Sequence, residues 1–174
     1  YFTDVTKESG VSNFGLSLGV VASDFNNDGY SDIYISNDFN APDFMYINNG
    51  DGTFTNDILN SLKQTSFFGM GVDSADFNND GSEDIFISQN EFTVHPEESR
   101  EDAGLGLLIL GDGKGSFRAL SISESGLVVP GEGRGAATAD FDHDGRTDLL
   151  VAQNGSTPRL FKNQTKRKGL RVVL

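Results

Sequence analysis

The chain has 174 residues, of which 36% are hydrophobic and 21 are glycine, a composition typical of a turn-rich all-β protein with room for a core. The formal net charge of −13 argues against binding to nucleic acid or to an anionic membrane surface. No run of about 20 apolar residues predicts membrane insertion, and the absence of cysteine excludes disulfides and thiol chemistry.

The first residues, 1–5 (YFTDV), are similar to residues 54–58 (FTNDI), which lie at the end of a strand-rich repeat. We therefore predict that the chain opens with an outer strand that lacks the three strands expected before it. Residues 1–15 are assigned to this end of a preceding unit and the linker that follows it.

The first repeat, residues 16–68, contains the loop DFNNDGYSD at residues 24–32, with oxygen-bearing side chains at positions 1, 3, 5 and 9. Calcium prefers about six to eight oxygen ligands, and a tight loop supplies them from alternating positions and a backbone carbonyl. Glycine at position 6 permits the sharp turn, because it adopts positive φ without steric cost. The predicted ligands are the side chains of Asp24, Asn26, Asp28 and Asp32 and the carbonyl of Tyr30.

Extended segments flank this loop. Residues 19–22 and 33–35 are apolar or small, as expected of strands, and the apolar run 44–47 leads through an Asn-Gly turn to Phe54. The unit is therefore predicted to be strand, calcium loop, strand and hairpin, with four strands in each repeat. The same hairpin pattern returns at residues 107–117.

The nine-residue pattern occurs twice more, in repeats assigned to residues 69–132 and 133–165. The third loop has four carboxylates among its predicted ligands where the others have three, so it is expected to bind calcium most tightly. The predicted ligands are Asp76, Asn78, Asp80, Asp84 and the Ser82 carbonyl in the second loop, and Asp140, Asp142, Asp144, Asp148 and the Arg146 carbonyl in the third.

An EF-hand begins with a similar pattern but requires a bidentate glutamate at position 12 and flanking helices. Position 12 is Ile35, Ile87 or Val151 in the three loops, which excludes that class. At position 2 each loop has a phenylalanine, and Phe25, Phe77 and Phe141 are all predicted to be core anchors. His143, at position 4 of the third loop, is predicted to face solvent.

The loops start 52 and 64 residues apart, and the extra length falls in the acidic stretch 91–104, which is predicted to be an exposed insertion. The third repeat contains Arg159-Leu160-Phe161 but no hairpin of the Asn-Gly kind after it. The basic residues that follow, Lys162 among them, are interpreted as a solvated linker or an interdomain contact. Residues 166–174 are assigned to the start of a further domain.

Four-stranded repeats of roughly 40–60 residues are typical of a β-propeller, whose blades stack around a central axis. Because a closed ring needs about four to eight blades, the chain is predicted to hold about three blades of a larger propeller of about seven. The predicted fold class is thus all-β, with four-stranded blades.

The three loops resemble the FG-GAP or VCBS-type repeats of integrin α-subunit propellers and of many secreted bacterial proteins. Residues 36–39 (SNDF), 70–73 (MGVD), 134–137 (RGAA) and 170–174 (LRVVL) resemble cartilage acidic protein-like sequences, in which such repeats precede an ASPIC/UnbV domain. The resemblance implies an extracellular or periplasmic propeller, stabilised by three calcium ions, that serves adhesion or acts as a scaffold.

No Gly-x-Ser-x-Gly elbow or zinc-protease motif indicates catalysis, so the chain is not expected to be an enzyme. The leading hypothesis is an extracellular or cell-surface module that binds a protein or glycan partner. Two alternatives remain: a non-catalytic part of a larger secreted enzyme or redox assembly, or a surface or fibre component that self-assembles through exposed strand edges. Two sequons, at Asn154 and Asn163, permit N-glycosylation in a eukaryotic secretory pathway.

Overall fold

The structure is a computed structural model that describes residues 1–39, 41–63, 65–66, 68–90 and 104–167. The described chain folds into three antiparallel sheets, one for each repeat, joined by short connections. The all-β fold class is confirmed, with two four-residue helices as the exceptions. The elements are β1 (Ser17–Ser23), β2 (Asp32–Asn37), β3 (Phe44–Asn48), β4 (Phe54–Asn56), α1 (Ile58–Ser61), β5 (Gly69–Ala75), β6 (Asp84–Gln89), β7 (Leu107–Gly111), β8 (Phe117–Ala119), α2 (Ile122–Ser125), β9 (Glu132–Ala139), β10 (Asp148–Asn154) and β11 (Arg159–Phe161).

Each sheet is a simple meander that starts with the strand before the nine-residue loop. The first sheet has the order β1-β2-β3-β4 and the second has β5-β6-β7-β8, as the repeat pattern predicts. The third has the order β11-β10-β9, and residues 104–167 supply it with no fourth strand. The loop therefore always connects the first two strands of its sheet.

Residues 1–5, predicted to be a strand, form none: they pair with no strand in the described part of the chain. Strand geometry depends on a hydrogen-bonded neighbour, and the segment instead turns, because the Ser9 amide donates to the Val5 carbonyl at 2.8 Å. The Ser9 carbonyl then accepts from the Phe54 amide at 2.8 Å. This contact attaches the start of the chain to β4.

The two helices follow the fourth strands of the first two sheets. At α1 the predicted strand 54–58 ends early, since the Asn56 side-chain oxygen accepts from the Ile58 amide at 3.3 Å and the helical turn begins there. At α2 a capping box joins Ser121 and Glu124. Within the described ranges, no helix has the length and apolar character needed to cross a bilayer.

The first strands of the three sheets, β1, β5 and β9, lie side by side, with β5 in contact with both of the others. Glycines allow this approach. A Cβ at Gly19 would lie 2.5 Å from the Met70 carbonyl oxygen, and one at Gly71 would lie 2.6 Å from the Arg134 carbonyl oxygen. The small residues before each loop thus fit strands that touch backbone to backbone.

The core consists of two clusters, one between each pair of neighbouring sheets. The first comprises Phe25, Tyr34, Met45, Ile58, Leu62, Ile85, Ile87 and Ile109. The second comprises Phe77, Phe86, Leu108, Val129, Leu149 and Val151.

The phenylalanines at loop position 2 divide between core and surface. Phe25 and Phe77 are buried, with exposed fractions of 0% and 7%, as predicted. The prediction is wrong for Phe141, which is 44% exposed. Phe25 packs edge-on against Phe117 of the next sheet, with ring centroids 5.7 Å apart. Phe141 belongs to the loop of the last described sheet, and no further described sheet packs on its ring.

Candidate metal centres

The three nine-residue loops share one backbone shape. The predicted glycine at position 6 has φ of +90°, +92° and +85° at Gly29, Gly81 and Gly145. The backbone at position 4 is left-handed as well, with φ of +59° at Asn27, +55° at Asn79 and +62° at His143. This conformation was not predicted from the sequence. Asparagine is one of the few residues besides glycine that adopt this conformation readily, and its occurrence at position 4 of two loops was the available indication.

The aspartate at position 1 organises the start of each loop. The two carboxylate oxygens of Asp24 accept from the amides of Asp28 at 3.0 Å and Gly29 at 2.8 Å. The same pair of bonds is made by Asp76 at 3.0 and 2.8 Å, and by Asp140 at 3.0 Å in both cases. These bonds draw the backbone of positions 5 and 6 around the carboxylate and hold the loop in a ring.

The aspartate at position 9 is buried and ties the loop to the sheet. Asp32 accepts from the Phe25 amide at 3.0 Å and from the Asn48 amide at 2.8 Å, which joins loop position 2 to the end of β3. Asp84 accepts from Phe77 and Gly111 at 2.9 and 3.0 Å, and Asp148 accepts from Phe141 and Asn163 at 3.2 and 2.8 Å. Each carboxylate oxygen has two lone pairs, so these bonds leave capacity for a metal ion.

Burial disfavours the charged form of the position 9 carboxylate in the first two loops. Burial, with smaller contributions from Asp80 and Asp76, raises the pKa of Asp84 to about 7 from the ordinary value of 3.8. Burial, with smaller contributions from Asp28 and Asp24, likewise raises the pKa of Asp32. A cation beside these carboxylates would favour their charged forms, so the site electrostatics suit a bound cation.

At position 3 of the second loop, an amide oxygen lacks a partner. The Asn78 amide nitrogen donates to Asp80 at 2.8 Å, whereas its oxygen is buried and accepts no hydrogen bond. A buried polar atom without a partner is costly, and an asparagine carbonyl is an established kind of calcium ligand. The residues present therefore fit a calcium ion, which would supply the missing partner.

The first loop differs slightly at position 3. The Asn26 side-chain oxygen accepts from the Asp28 amide at 3.0 Å, and the side-chain nitrogen donates to the Asp28 carboxylate at 2.9 Å. At position 7 the Tyr30 amide donates to the same carboxylate at 2.9 Å. Ser82 and Arg146 make the equivalent bonds to Asp80 and Asp144 at 2.9 and 3.1 Å. The hydrogen bonds at positions 5 and 7 thus follow one pattern in the three loops, and calcium ligation by the predicted side chains and by the position 7 carbonyls stays a prediction.

The third loop has the densest carboxylate cluster. Oxygens of Asp140, Asp142 and Asp148 lie within 4.8 Å of one another, a spacing that a single cation can bridge. Two side-chain cations also reach this loop. The Lys162 ammonium contacts Asp142 and lies 3.1 Å from the Asp144 carboxylate, and the Arg146 guanidinium contacts Asp144.

Lys162 was interpreted from the sequence as part of a solvated linker or an interdomain contact, whereas in the structure it contacts the loop of its own repeat. The β10–β11 register pairs Leu149 with Phe161. The next residue, Lys162, is thereby placed beside the loop that ends at Asp148. Comparing the third strands of the three repeats in the sequence would have indicated this. In an antiparallel pair the residue after Phe161 lies opposite the residue before Leu149, which is Asp148 at loop position 9.

A cleft of about 560 Å³ lies between the second and third sheets, next to the second loop. Phe77, Asn78, Leu108, Leu149 and Phe161 are among its lining residues. At the matching place between the first two sheets, the ring of Phe117 in β8 packs on Phe25. The cleft therefore lies at the place that corresponds to the Phe117 ring between the first two sheets.

Comparison with known families agrees with this architecture. Residues 2–87 match the FG-GAP-like repeat family, and residues 133–166 match the FG-GAP repeat family. The chain therefore belongs to the FG-GAP repeat proteins, which confirms the family expected from its loops.

Among individual proteins, the chain is similar to cartilage acidic protein 1. The Homo sapiens protein is 32% identical over 164 residues, which cover 91% of this chain and 23% of that protein. The Mus musculus protein is 31% identical over 164 residues, covering 91% of this chain and 24% of that protein, and the Xenopus tropicalis protein is 31% identical over 166 residues, covering 92% and 24%. The chain thus spans about a quarter of the length of these relatives. The predicted resemblance to cartilage acidic protein-like sequences is confirmed.

A solved structure of an Agrocybe aegerita lectin, described as recognising non-reducing terminal N-acetylglucosamine, is also similar. It is 20% identical, with a TM-score of 0.43, and the match covers 83% of this chain and 38% of the lectin. A likeness at this level carries no argument about ligand binding.

Proposed function

We propose that this chain is a calcium-binding part of an extracellular β-propeller, which acts as a scaffold for adhesion or for interaction with a protein or glycan partner. The observation that carries the proposal is the repetition of one acidic loop, with the same position 1 and position 9 hydrogen bonds, in all three sheets. Each loop concentrates carboxylates around its turn, and calcium would neutralise them. The proposal assigns three calcium ions, one to each loop.

In this proposal the role of calcium is structural. The buried aspartate at position 9 already links loop position 2 to the third strand, as Asp84 links Phe77 to Gly111 at 2.9 and 3.0 Å. An ion on the loop would therefore stabilise the connection between the strands and the core phenylalanine. Ligand that binds only the folded state stabilises it by about 2.7 kcal/mol at a free concentration 100 times the Kd.

Membership of the FG-GAP repeat proteins and similarity to cartilage acidic protein 1 support an extracellular location. A bacterial periplasmic or cell-surface location fits the same chemistry. We assign the chain a non-catalytic role, because the loop carboxylates at positions 1 and 9 are engaged by backbone amides that hold the loops together. The partner is expected to bind outside the calcium loops.

The test is thermal unfolding in about 2 mM calcium and in excess EGTA, with bound calcium measured by metal analysis. The matched pair of variants is Asp28→Ala, inside the first loop, and Asp51→Ala, in an exposed turn of the same sheet. We expect Asp28→Ala to lose one bound ion and to lower the melting temperature only in calcium. Asp51→Ala should keep the wild-type stoichiometry. Equal melting temperatures in both buffers, with no calcium bound, would overturn the proposal.

A further inference from the structure

The third loop carries its own positive charges. The Lys162 ammonium contacts the position 3 carboxylate of Asp142 and lies 3.1 Å from the position 5 carboxylate of Asp144. The Arg146 guanidinium, at position 7, contacts the same Oδ2 oxygen of Asp144. Both cations therefore contact carboxylates that are predicted calcium ligands.

The first and second loops have uncharged residues at both places. In each sheet the first residue after the loop pairs with a residue of the third strand. The pairs are Ile33 with Tyr46, Ile85 with Ile109, and Leu149 with Phe161. The residue that follows the partner is Ile47 in the first sheet, Leu110 in the second and Lys162 in the third. At position 7 the first two loops have Tyr30 and Ser82 in place of Arg146. The third loop therefore differs from the others in charge although it shares their backbone shape.

The charge balance reverses the order expected from counting carboxylates. Four aspartates with Arg146 and Lys162 leave the third loop at a net charge of −2. The first loop has three aspartates and a net charge of −3, and the second, with three aspartates and Glu83, has −4, or −3 when the nearby Arg167 is counted. A calcium ion in the third loop would compete with Lys162 for oxygens of Asp142 and Asp144. It would also be repelled by the nearby positive charge, an interaction that weakens with distance and solvent exposure.

We propose that Lys162 and Arg146 are built-in counter-ions of the third loop, so that this loop binds calcium most weakly of the three. The inference rests on the proposed calcium function. The Lys162 side chain is 52% exposed, so calcium can displace its ammonium into water, and the ion pair reforms when calcium leaves. Without calcium, the ion pairs of Lys162 connect the end of β11 to the loop and stabilise the third sheet.

The test is a calcium titration of the wild-type chain and of three variants by isothermal calorimetry. Lys162→Leu introduces the residue of the second sheet, Arg146→Ser introduces the residue of the second loop, and Lys166→Leu alters an exposed lysine nearby as the control. We expect two tighter sites and one weaker site in the wild type. Lys162→Leu and Arg146→Ser should each tighten the weaker site by roughly tenfold or more, and Lys166→Leu should not.

Loop-specific variants identify the sites. Asp28→Ala is expected to remove a tight site, and Asp144→Ala the weak one. In EGTA, Lys162→Leu should also lower the melting temperature, because the tie between β11 and the loop is lost. Three sites of equal affinity, or a weak site unchanged by both substitutions, would overturn this inference alone. Absence of calcium from all three loops would overturn the proposed function and this inference together.

Discussion

The first two repeats and the third share a loop but differ in what surrounds it. All three loops have left-handed backbone at positions 4 and 6 and the same bonds from the aspartates at positions 1 and 9. Only the first two have a position 2 phenylalanine that is covered by another described sheet. The nine residues thus determine the local backbone shape, the neighbouring sheet determines the burial of the phenylalanine, and Arg146 and Lys162 of the third repeat itself determine the charge beside its loop.

The largest expected change in stability comes from truncating the phenylalanine at loop position 2. Phe25→Ala should lower the free energy of unfolding by about 3–5 kcal/mol, because the ring is fully buried against Phe117. Phe141→Ala should change it by less than about 0.5 kcal/mol in this chain, because the ring is exposed and no described sheet packs on it. Urea unfolding measures both. Equal losses would contradict the difference in burial.

A smaller effect is expected from pH at the second loop. Because burial raises the pKa of Asp84 to about 7, the folded state binds this proton more tightly than the unfolded chain does. Its stabilising contribution is complete below the ordinary pKa of 3.8 and is lost as the pH rises through about 7. In EGTA, the free energy of unfolding should fall by on the order of 2–4 kcal/mol from about pH 4 to pH 8.

Asp84→Asn should remove this fall, and saturating calcium should reduce it, because a bound cation favours the carboxylate. Calcium binding near pH 7 should then release a proton from the second loop, which calorimetry in buffers of different ionisation enthalpy detects. A stability in EGTA that rises over the same pH range would contradict the assignment.

The two sequon asparagines give a comparison within the third repeat. The Asn163 side chain donates to the Phe77 carbonyl at 2.7 Å and to the Thr147 carbonyl at 2.9 Å, joining the second and third loops. Asn163→Ala should therefore lower the free energy of unfolding by about 1–3 kcal/mol, measured by thermal or urea unfolding. Asn154→Ala, at the exposed end of β10, should lower the free energy of unfolding by less than about 0.5 kcal/mol. If Asn154→Ala proved the more damaging, the inter-sheet role of Asn163 would be wrong.

The smallest expected effect concerns position 4. His143 has a φ of +62°, where the other loops have asparagine. His143→Asn should stabilise the ion-free chain by about 0.5 kcal/mol, because asparagine tolerates left-handed backbone better. His143→Val should destabilise it by about 1 kcal/mol, because a β-branched residue is strained there. Melting temperatures in EGTA check both, and a stabilising valine would rule out the backbone explanation.

The elements that the sequence predicted well depend on local chemistry. The Asp-x-Asn-x-Asp-Gly spacing places a turn between two apolar runs, and Asn49-Gly50 marks the β3–β4 hairpin, so both follow from neighbouring residues.

The elements that it missed depend on distant partners. Residues 1–5 have strand-like composition but no pairing strand in the described chain, and the exposure of Phe141 depends on which sheet lies next to it. The contacts of Lys162 depend on the β10–β11 register. The predicted acidic insertion lies almost wholly outside the described residues, as do residues 168–174 of the predicted further domain. The domain boundaries and the number of blades stay predictions.

The close backbone approach at Gly19 and Gly71 limits how such a repeat can change in length or be duplicated. The spacing between loop starts grows from 52 to 64 residues, and the additional residues fall in the sequence between β6 and β7 rather than in a first strand. The connection between the second and third strands thus tolerates a change in length, whereas a single methyl group added at Gly19 or Gly71 would collide with the next sheet. A repeat copied into a longer array, by evolution or by design, can therefore lengthen that connection only while it keeps these two glycines of its first strand.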